Sequence, residues 1–214
     1  MGRLGHGGQR VSGANRPLLL GQRTVVAECL DRFGRLDILV NNAGGASPVP
    51  LGDVTDEQWQ QAFALNLFAA VRMARACVEP MRSQGWGRLV HVASVSAREP
   101  DPLFAPYSAA KAALLNWSTS LSKAYAAEGV LSSCVVPGVT LTELVAANAA
   151  QTADRSGVSA DEVMSRQLAR HGVSAGRFGA PGEIAAAVVF LASAQAGWIT
   201  GATLEVDGGT LRGV

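Results

Sequence analysis

Tyr107 and Lys111 stand four residues apart in an alanine-rich stretch of the chain. In a helix, residues at positions i and i+4 lie on one face, so the phenol and the ammonium group are expected to be neighbours. A nearby positive charge favours the phenolate and is expected to lower the tyrosine pKa from about 10. Such a phenol can give or take a proton near neutral pH, which is general acid–base chemistry.

Two further polar residues stand in apolar surroundings. Ser94 ends the stretch RLVHVAS, thirteen residues before Tyr107. A polar residue at the carboxyl end of a parallel strand lies where α/β folds bind ligands. Asn66 lies inside the apolar stretch AFALNLFAAV, which makes exposure doubtful, although an asparagine bonded back to its own helix is the alternative.

The elements that must position these residues alternate between helices and apolar strands. Thr55 and Gln58 form a capping box, which predicts the start of a long helix that runs to about Arg82. The remaining helices are predicted over 22–33, 107–128, about 160–170 within a less regular segment 139–176, and 181–193; the strands are predicted over 36–40, 88–93, 130–136 and 203–206. This alternation is typical of an α/β fold with a parallel sheet covered on both faces. We expect one domain over 21–214, preceded by an irregular segment over 1–20.

Composition excludes several classes of protein. The 214 residues are 48% hydrophobic with a net charge of +1, which suits a single folded domain and gives too weak a field to gather nucleic acid or a membrane surface. The apolar runs are far shorter than the roughly 18 residues of a membrane span. The three cysteines and three histidines show no metal-ligand spacing. We expect a cytoplasmic protein with no metal, nucleic-acid or membrane partner.

The chain resembles the classical short-chain dehydrogenases/reductases from about Thr24 to Gly209. The resemblance depends on motifs that occur in the family's order: Asn41-Asn42-Ala43-Gly44, Asn66, Ser94, Tyr107-Ser108-Ala109-Ala110-Lys111, Val136-Pro137-Gly138 with Thr142, Arg177-Phe178-Gly179 with Pro181 and Glu183, Ile199-Thr200-Gly201, and Val206-Asp207-Gly208-Gly209. It implies a Rossmann-like, doubly wound parallel sheet. It also implies an oxidoreductase that interconverts a carbonyl and an alcohol.

The resemblance assigns four catalytic roles. Tyr107 is the proton donor or acceptor, and Lys111 holds the nicotinamide ribose and lowers the Tyr107 pKa. Ser94 hydrogen-bonds the substrate oxygen, as an oxyanion hole does. Asn66 positions a water molecule in a proton relay that ends at Lys111.

The resemblance also implies a nicotinamide cofactor, NAD or NADP. Its expected contacts, besides Tyr107 and Lys111, are Asn42, Ala43, Gly44, Pro137, Gly138, Thr140 and Thr142. The substrate is a small carbonyl or alcohol compound, and the chain looks closest to the 3-oxoacyl reductases. Because the helices over 56–82 and 107–128 form interfaces in this family, a homo-oligomer (dimer or tetramer) is expected.

The sequence departs from the family pattern at its beginning. The family starts with a strand and a Thr-Gly-x-x-x-Gly-x-Gly turn that approaches the pyrophosphate, and this glycine spacing does not occur among the printed residues. We therefore expect a truncated domain that lacks the first strands, the glycine turn and the residue that selects NAD or NADP. The strand over 36–40 would then become an edge with exposed apolar faces, which is an aggregation hazard.

Three hypotheses follow from this departure. The chain is a reductase whose written start is wrong, or it is a catalytically inactive relative that acts as a structural or oligomer-partner protein. In the third hypothesis, a shortened chain still binds the cofactor in a changed way.

Overall fold

A computed structural model describes residues 16–211, which form a parallel sheet with helices on both faces. Its four strands lie in the order β1 (Ile38–Asn41), β2 (Gly87–Val92), β3 (Val130–Pro137) and β4 (Thr203–Val206). Each strand pairs in parallel with its neighbour, so the carboxyl ends of all of them meet at one edge of the sheet. The predicted α/β class with a parallel sheet is confirmed for this part of the chain.

The described helices are α1 (Arg16–Phe33), α2 (Asp56–Phe63), α3 (Ala69–Ser83), α4 (Ala105–Tyr125), α5 (Glu143–Ser156), α6 (Ala160–His171) and α7 (Pro181–Ala192). A π-helical segment, Ala64–Phe68, joins α2 to α3. The predicted capping box is present, with Thr55 and Gln58 bonding each other's backbone, so the long helix begins where the sequence places it.

The core has two layers, one on each face of the sheet. On one face, Leu89 of β2 and Val130 of β3 pack against Met81 of α3, and α4 extends this layer. On the other face, Val90 and Val135 pack against α7. Because β2 and β3 are covered on both sides, nearly all their side chains are buried, whichever face of the sheet they point to, as is usual in parallel sheets.

Strand β1 lies at one edge of the sheet within residues 16–211. Its register aligns Val40 with Val90, so Ile38 and Val40 face the α7 side, and they are 44% and 42% exposed. The expectation that this strand forms an edge with exposed apolar residues is confirmed for the described residues. Leu39, on the opposite face of the strand, packs against the α3 layer.

Two segments that were expected to be irregular or less regular contain helices that the sequence did not predict there. Helix α1 begins at Arg16, inside the segment 1–20 that was expected to be irregular, and residues 1–15 lie outside the described residues. A full helix, α5, occupies part of the less regular segment 139–176. Its alanine-rich sequence has weak apolar periodicity, but Thr142 caps its beginning and Gly157, with a positive φ angle, ends it.

Gly129 lies in the turn before β3, which closely approaches the turn before β2 at Gly85. It has a φ of +81°, and a Cβ atom there would lie 2.0 Å from the Gly85 carbonyl oxygen. Gly157 has a similar φ of +68° with no atom within 4 Å of the same position. We expect Gly129→Ala to lower the free energy of unfolding by at least ~3 kcal/mol and Gly157→Ala by only ~1 kcal/mol, as measured by urea denaturation. Equal losses would contradict the steric explanation.

Candidate active site

The four predicted catalytic residues lie on elements that converge at the carboxyl edge of the sheet. Ser94 follows the end of β2, and Asn66 lies in the π-helical segment. Tyr107 lies in the first turn of α4 and Lys111 in the next turn, and their i and i+4 spacing places both on one side of the helix. Because the carboxyl ends of the parallel strands meet here, the chain brings Ser94 directly to the tyrosine and lysine.

Tyr107 is the centre of this group. The Ser94 hydroxyl hydrogen-bonds the Tyr107 phenol, and the Lys111 Nζ atom lies 5.7 Å from the centre of the tyrosine ring. The predicted proximity of the phenol and the ammonium group is therefore confirmed by the geometry. Ser94 and Lys111 are therefore both neighbours of Tyr107, and the three residues form the series Ser94, Tyr107 and Lys111.

The predicted lowering of the Tyr107 pKa is wrong. Burial raises the pKa of Tyr107 above its usual value of 10.0, and the hydrogen bond from Ser94 offsets only part of this rise. Removal from water disfavours the negatively charged phenolate, and this is the larger of the two effects on the pKa of Tyr107. Tyr107 consequently holds its proton at neutral pH.

Lys111 is a buried ammonium group, with only 3% of its surface exposed. Its Nζ atom donates a hydrogen bond of 2.7 Å to the carbonyl oxygen of Val92, the last residue of β2. Burial lowers the pKa of Lys111 from 10.5 to about 8, because the charged form is removed from water. An ammonium group has three N–H donors, so further donors remain for a group bound beside it.

Asn66 is held by three hydrogen bonds of its side-chain amide. Its Nδ2 group donates to the carbonyl oxygens of Gly45 and Ala62, and its Oδ1 atom accepts from the Gly45 amide, each at 3.0 Å. The bond to Ala62 is the back-bonding alternative, and the two bonds to Gly45 show that Asn66 also anchors the loop after β1. The predicted water relay through Asn66 stays a prediction.

Gly44 lies in the loop after β1, where Asn66 and Lys111 come together. A Cβ atom at this glycine would lie 2.8 Å from Asn66 Oδ1 and 3.1 Å from Lys111 Nζ. The absence of a side chain therefore lets the loop approach both polar groups. Asn42 and Ala43, the other loop residues expected to contact a cofactor, are exposed immediately before it.

The remaining residues expected to contact a cofactor lie at and beyond the end of β3. Pro137 is the last residue of the strand, and Gly138 approaches the Asp207 backbone so closely that a Cβ atom would lie 2.7 Å from it. Thr140 donates its hydroxyl to the Gly138 carbonyl oxygen at 3.1 Å. The Thr142 hydroxyl accepts from the Val145 amide and caps α5, which leaves its own hydrogen free to donate.

Two features of this region were missed in the sequence. The first feature is the π-helical turn at Asn66, which the sequence predicts as ordinary α-helix. An asparagine among apolar residues was the only signal at this position. The second feature is an ion pair of 2.5 Å between Arg170 of α6 and Asp101, in the segment that leads into α4. No local signal could have found it, because the two residues are 69 positions apart.

Neither a candidate metal site nor a membrane-spanning helix occurs among residues 16–211. Among residues 16–211, no group of three or more His, Cys, Asp or Glu side chains is arranged to hold a metal ion. None of the helices described there combines the length and the apolar character needed to cross a membrane.

Comparison with known families agrees with this geometry. Residues 22–210 match the family model described as enoyl-(acyl carrier protein) reductase. The 3-oxoacyl-[acyl-carrier-protein] reductase FabG of Haemophilus influenzae is 37% identical over 186 residues, which cover 87% of this chain and 72% of the relative. The chain belongs to the short-chain dehydrogenase/reductase family.

Two further proteins extend the comparison. The D-beta-hydroxybutyrate dehydrogenase of Rhizobium meliloti is 31% identical over 185 residues, covering 86% of this chain and 71% of the relative. The solved structure of L-sorbose reductase from Gluconobacter frateurii, in complex with NADPH and L-sorbose, is similar with a TM-score of 0.87 and 34% identity. That match covers 92% of this chain and 74% of the reductase.

The lowered pKa of Lys111 predicts a pH-dependent stability. Between pH 8 and 10.5 the unfolded chain holds the Lys111 proton more tightly than the native protein does, so the burial penalty falls as pH rises through this range. Lys111→Met has no such penalty. Between pH 7.5 and 10.5 we therefore expect the free energy of unfolding of the wild type to rise by about 3 kcal/mol relative to that of the variant, as measured by urea denaturation. A difference between the two proteins that does not change with pH would show that Lys111 is solvated.

Proposed function

We propose that this chain is an NAD(P)-dependent oxidoreductase that interconverts a carbonyl and an alcohol, with Tyr107 as the proton donor or acceptor. The observation that carries the proposal is the series Ser94, Tyr107 and Lys111 at the carboxyl edge of the sheet. The relatives support it, because a 3-oxoacyl reductase, a hydroxybutyrate dehydrogenase and a sorbose reductase share carbonyl–alcohol chemistry in their names.

The residues present fit the nicotinamide end of a dinucleotide. Gly44 provides a surface without a side chain beside Asn66 and Lys111, and the buried Lys111 ammonium has donors to offer a ribose. The nicotinamide and its ribose would be held by these groups together with Asn42, Ala43 and Tyr107, and by the backbone and hydroxyls of 137–142. When bound, the cofactor supplies or takes up the hydride.

The protein's own residues would handle the proton. The Ser94 hydroxyl donates a hydrogen bond to the substrate oxygen and so stabilises the negative charge that develops there during reduction. The Tyr107 phenol gives its proton to the same oxygen, and its burial keeps it protonated and ready to do so at neutral pH. In the oxidation direction the deprotonated phenol accepts the alcohol proton, with the Lys111 charge beside it.

Asn66 would connect this proton transfer to solvent. Both of its N–H donors and one lone pair of Oδ1 are used by the backbone, so one lone pair of Oδ1 remains for a water molecule. Since Gly44 lies against both Asn66 Oδ1 and Lys111 Nζ, such a water molecule would be close to the lysine. In the reduction direction a proton would pass from this water molecule through Lys111 to Tyr107 and replace the one that the tyrosine gives up.

The substrate we propose is a small 3-oxoacyl compound, in line with the 3-oxoacyl reductase among the relatives. A second candidate function is that of a non-catalytic partner protein, which the uncovered Ile38 and Val40 of β1 favour because apolar surface of this kind marks association sites. A homo-oligomer and a cytoplasmic location remain predictions from the sequence.

The two tyrosines of the chain provide a matched test of the catalytic proposal. Tyr107 and Tyr125 are both on α4, but Tyr125 lies at its far end, packed beneath Arg82. With acetoacetyl thioester as substrate and NADPH or NADH as reductant, we expect Tyr107→Phe to lower kcat/KM at least ~1000-fold, since it removes the proton donor. Tyr125→Phe should stay within about twofold of wild type, because it touches no reacting group. The loss of cofactor absorbance measures the rate.

Retained activity in Tyr107→Phe would contradict the role of Tyr107. A wild-type chain that reduces no carbonyl compound and binds neither NADPH nor NADH would contradict the enzymatic proposal and favour the partner protein. The same titrations show which of the two cofactors the chain prefers.

Substitutions at the neighbouring glycines 44 and 45 test the cofactor surface, which is the part of the loop after β1 that is expected to contact the nicotinamide end of the cofactor. A Cβ atom at Gly44 would crowd Asn66 and Lys111, whereas the nearest atom to a Cβ at Gly45 is a Leu65 carbon 4.0 Å away. We expect Gly44→Ala to lower kcat/KM about 100-fold through misplacement of these groups, and Gly45→Ala to change it less than about threefold. Similar values for the two variants would show that the approach at Gly44 does not matter.

A further inference from the structure

We propose that His91 is a positioning residue, which fixes the loop after β1 against α4 through a chain of buried hydrogen bonds. The proposal rests on the proposed function, because that loop includes Asn42, Ala43 and Gly44 of the cofactor surface. His91 touches none of the reacting groups, so its effect on catalysis would pass through Asn41.

His91 lies in a row of paired residues that crosses the sheet. The strand register places Asn41 of β1 opposite His91 of β2, and His91 opposite Cys134 of β3. Residues paired in this way point to the same face of the sheet, which here is the face that α4 covers. The His91 ring is fully buried and packs edge-on against Trp117 of α4, with 5.1 Å between ring centres.

Both nitrogen atoms of the ring have partners. The Asn41 Nδ2 group donates to His91 Nδ1 at 2.9 Å, so the proton of a neutral imidazole is on Nε2. That Nε2 group lies 3.3 Å from the Ser132 hydroxyl of β3, to which it donates. The Ser132 hydroxyl in turn lies 2.8 Å from the Ser118 hydroxyl of α4. The bonds therefore run from β1 through β2 and β3 to the active-site helix.

The ring is neutral because a charge there would be costly. Burial, with a smaller contribution from the Lys111 charge, lowers the pKa of His91 to about 4. In the neutral ring, Nδ1 accepts a hydrogen bond from Asn41 and the Nε2–H group donates one to Ser132. Neither nitrogen atom of the buried ring is left unpaired. A buried network satisfied in this way holds its members in one arrangement.

Each element joined by this network continues into a part of the site. Strand β1 leads through Asn41 into the loop 42–44, and β3 leads into Pro137 and Gly138. Ser118 is seven residues after Lys111, two turns along the same face of α4. A shift of Asn41 would therefore move Gly44 relative to Asn66 and Lys111, which it contacts closely.

Three substitutions separate the two ends of the network. His91→Phe keeps a ring against Trp117 but removes both hydrogen bonds. In His91→Asn the amide occupies the position of Nδ1 and can bond Asn41, whereas in His91→Gln the amide reaches the position of Nε2 and can bond Ser132. If Asn41 transmits the effect, His91→Phe and His91→Gln should raise the NADPH KM about tenfold with kcat changed less than about threefold, and His91→Asn should restore the wild-type KM.

Val90→Ala is the control for lost stability. Val90 is buried on the same strand but faces α7, so its truncation should lower the midpoint of thermal unfolding without raising the NADPH KM. Equal NADPH KM values for His91→Asn and His91→Gln, or a KM in Val90→Ala as high as in His91→Phe, would overturn the proposal. If His91→Phe does not fold, the comparison of the NADPH KM between His91→Asn and His91→Gln still decides the proposal.

A second measurement does not depend on activity. The Gly45 amide donates to Asn66 Oδ1, so its hydrogen exchange reports the order of the loop, and the Gly87 amide, at the far end of the sheet, serves as the reference. We expect Gly45 exchange, relative to Gly87, to accelerate about tenfold in His91→Phe and His91→Gln but not in His91→Asn. If wild type binds no NADPH, the proposed function fails while this exchange still decides the role of His91. Unchanged Gly45 exchange in all three variants would overturn it.

Discussion

The burial of one ammonium group, that of Lys111, constrains the rest of the site. The group is 3% exposed, and its hydrogen bond to the Val92 carbonyl oxygen offsets only part of the cost of removing it from water. The groups around it are accordingly small or neutral. Gly44 has no side chain, and Tyr107 and His91 are uncharged at neutral pH because burial raises the pKa of the phenol and lowers that of the imidazole. A second positive charge here would make the ionised lysine still harder to keep.

The apolar frame explains how such a charge can be held in place. Ala110 and Leu114 flank Lys111 on α4 and are almost completely buried against the end of the sheet. Helix α4 packs on β3, and from there the Lys111 Nζ atom reaches the carbonyl oxygen of Val92, the last residue of β2. The same packing sets Tyr107 beside Ser94. Core packing and site geometry therefore depend on the same contacts of α4.

Local sequence patterns predicted the parts of the site that are local in the chain. The spacing of Tyr107 and Lys111, the capping box at Thr55 and the apolar strands follow from periodicity and capping, and the structure has them within a few residues. The π-helical turn that carries Asn66 could not be predicted, because one extra residue in a turn does not change the apolar pattern visibly.

Contacts between residues far apart in the sequence could not be predicted. The bond between Asn41 and His91 depends on the register of two strands fifty residues apart, and the ion pair of Asp101 with Arg170 depends on how α6 folds back. The sign of the Tyr107 pKa shift was also out of reach. The sequence reveals the neighbouring cation, but the rise in the pKa results from burial, which only the tertiary structure defines.

Strand β1 shows how the pleat of a sheet can meet two requirements at once. Leu39 and Asn41 face the covered side, where the first packs in the core and the second bonds His91. Ile38 and Val40 alternate with them on the side where they are exposed. Because consecutive side chains point to opposite faces, the loop after β1 can be held firmly from one face while the other remains open to contact. Anything that binds the open face would act on the strand that positions Gly44, and so association there and order in the site would be coupled.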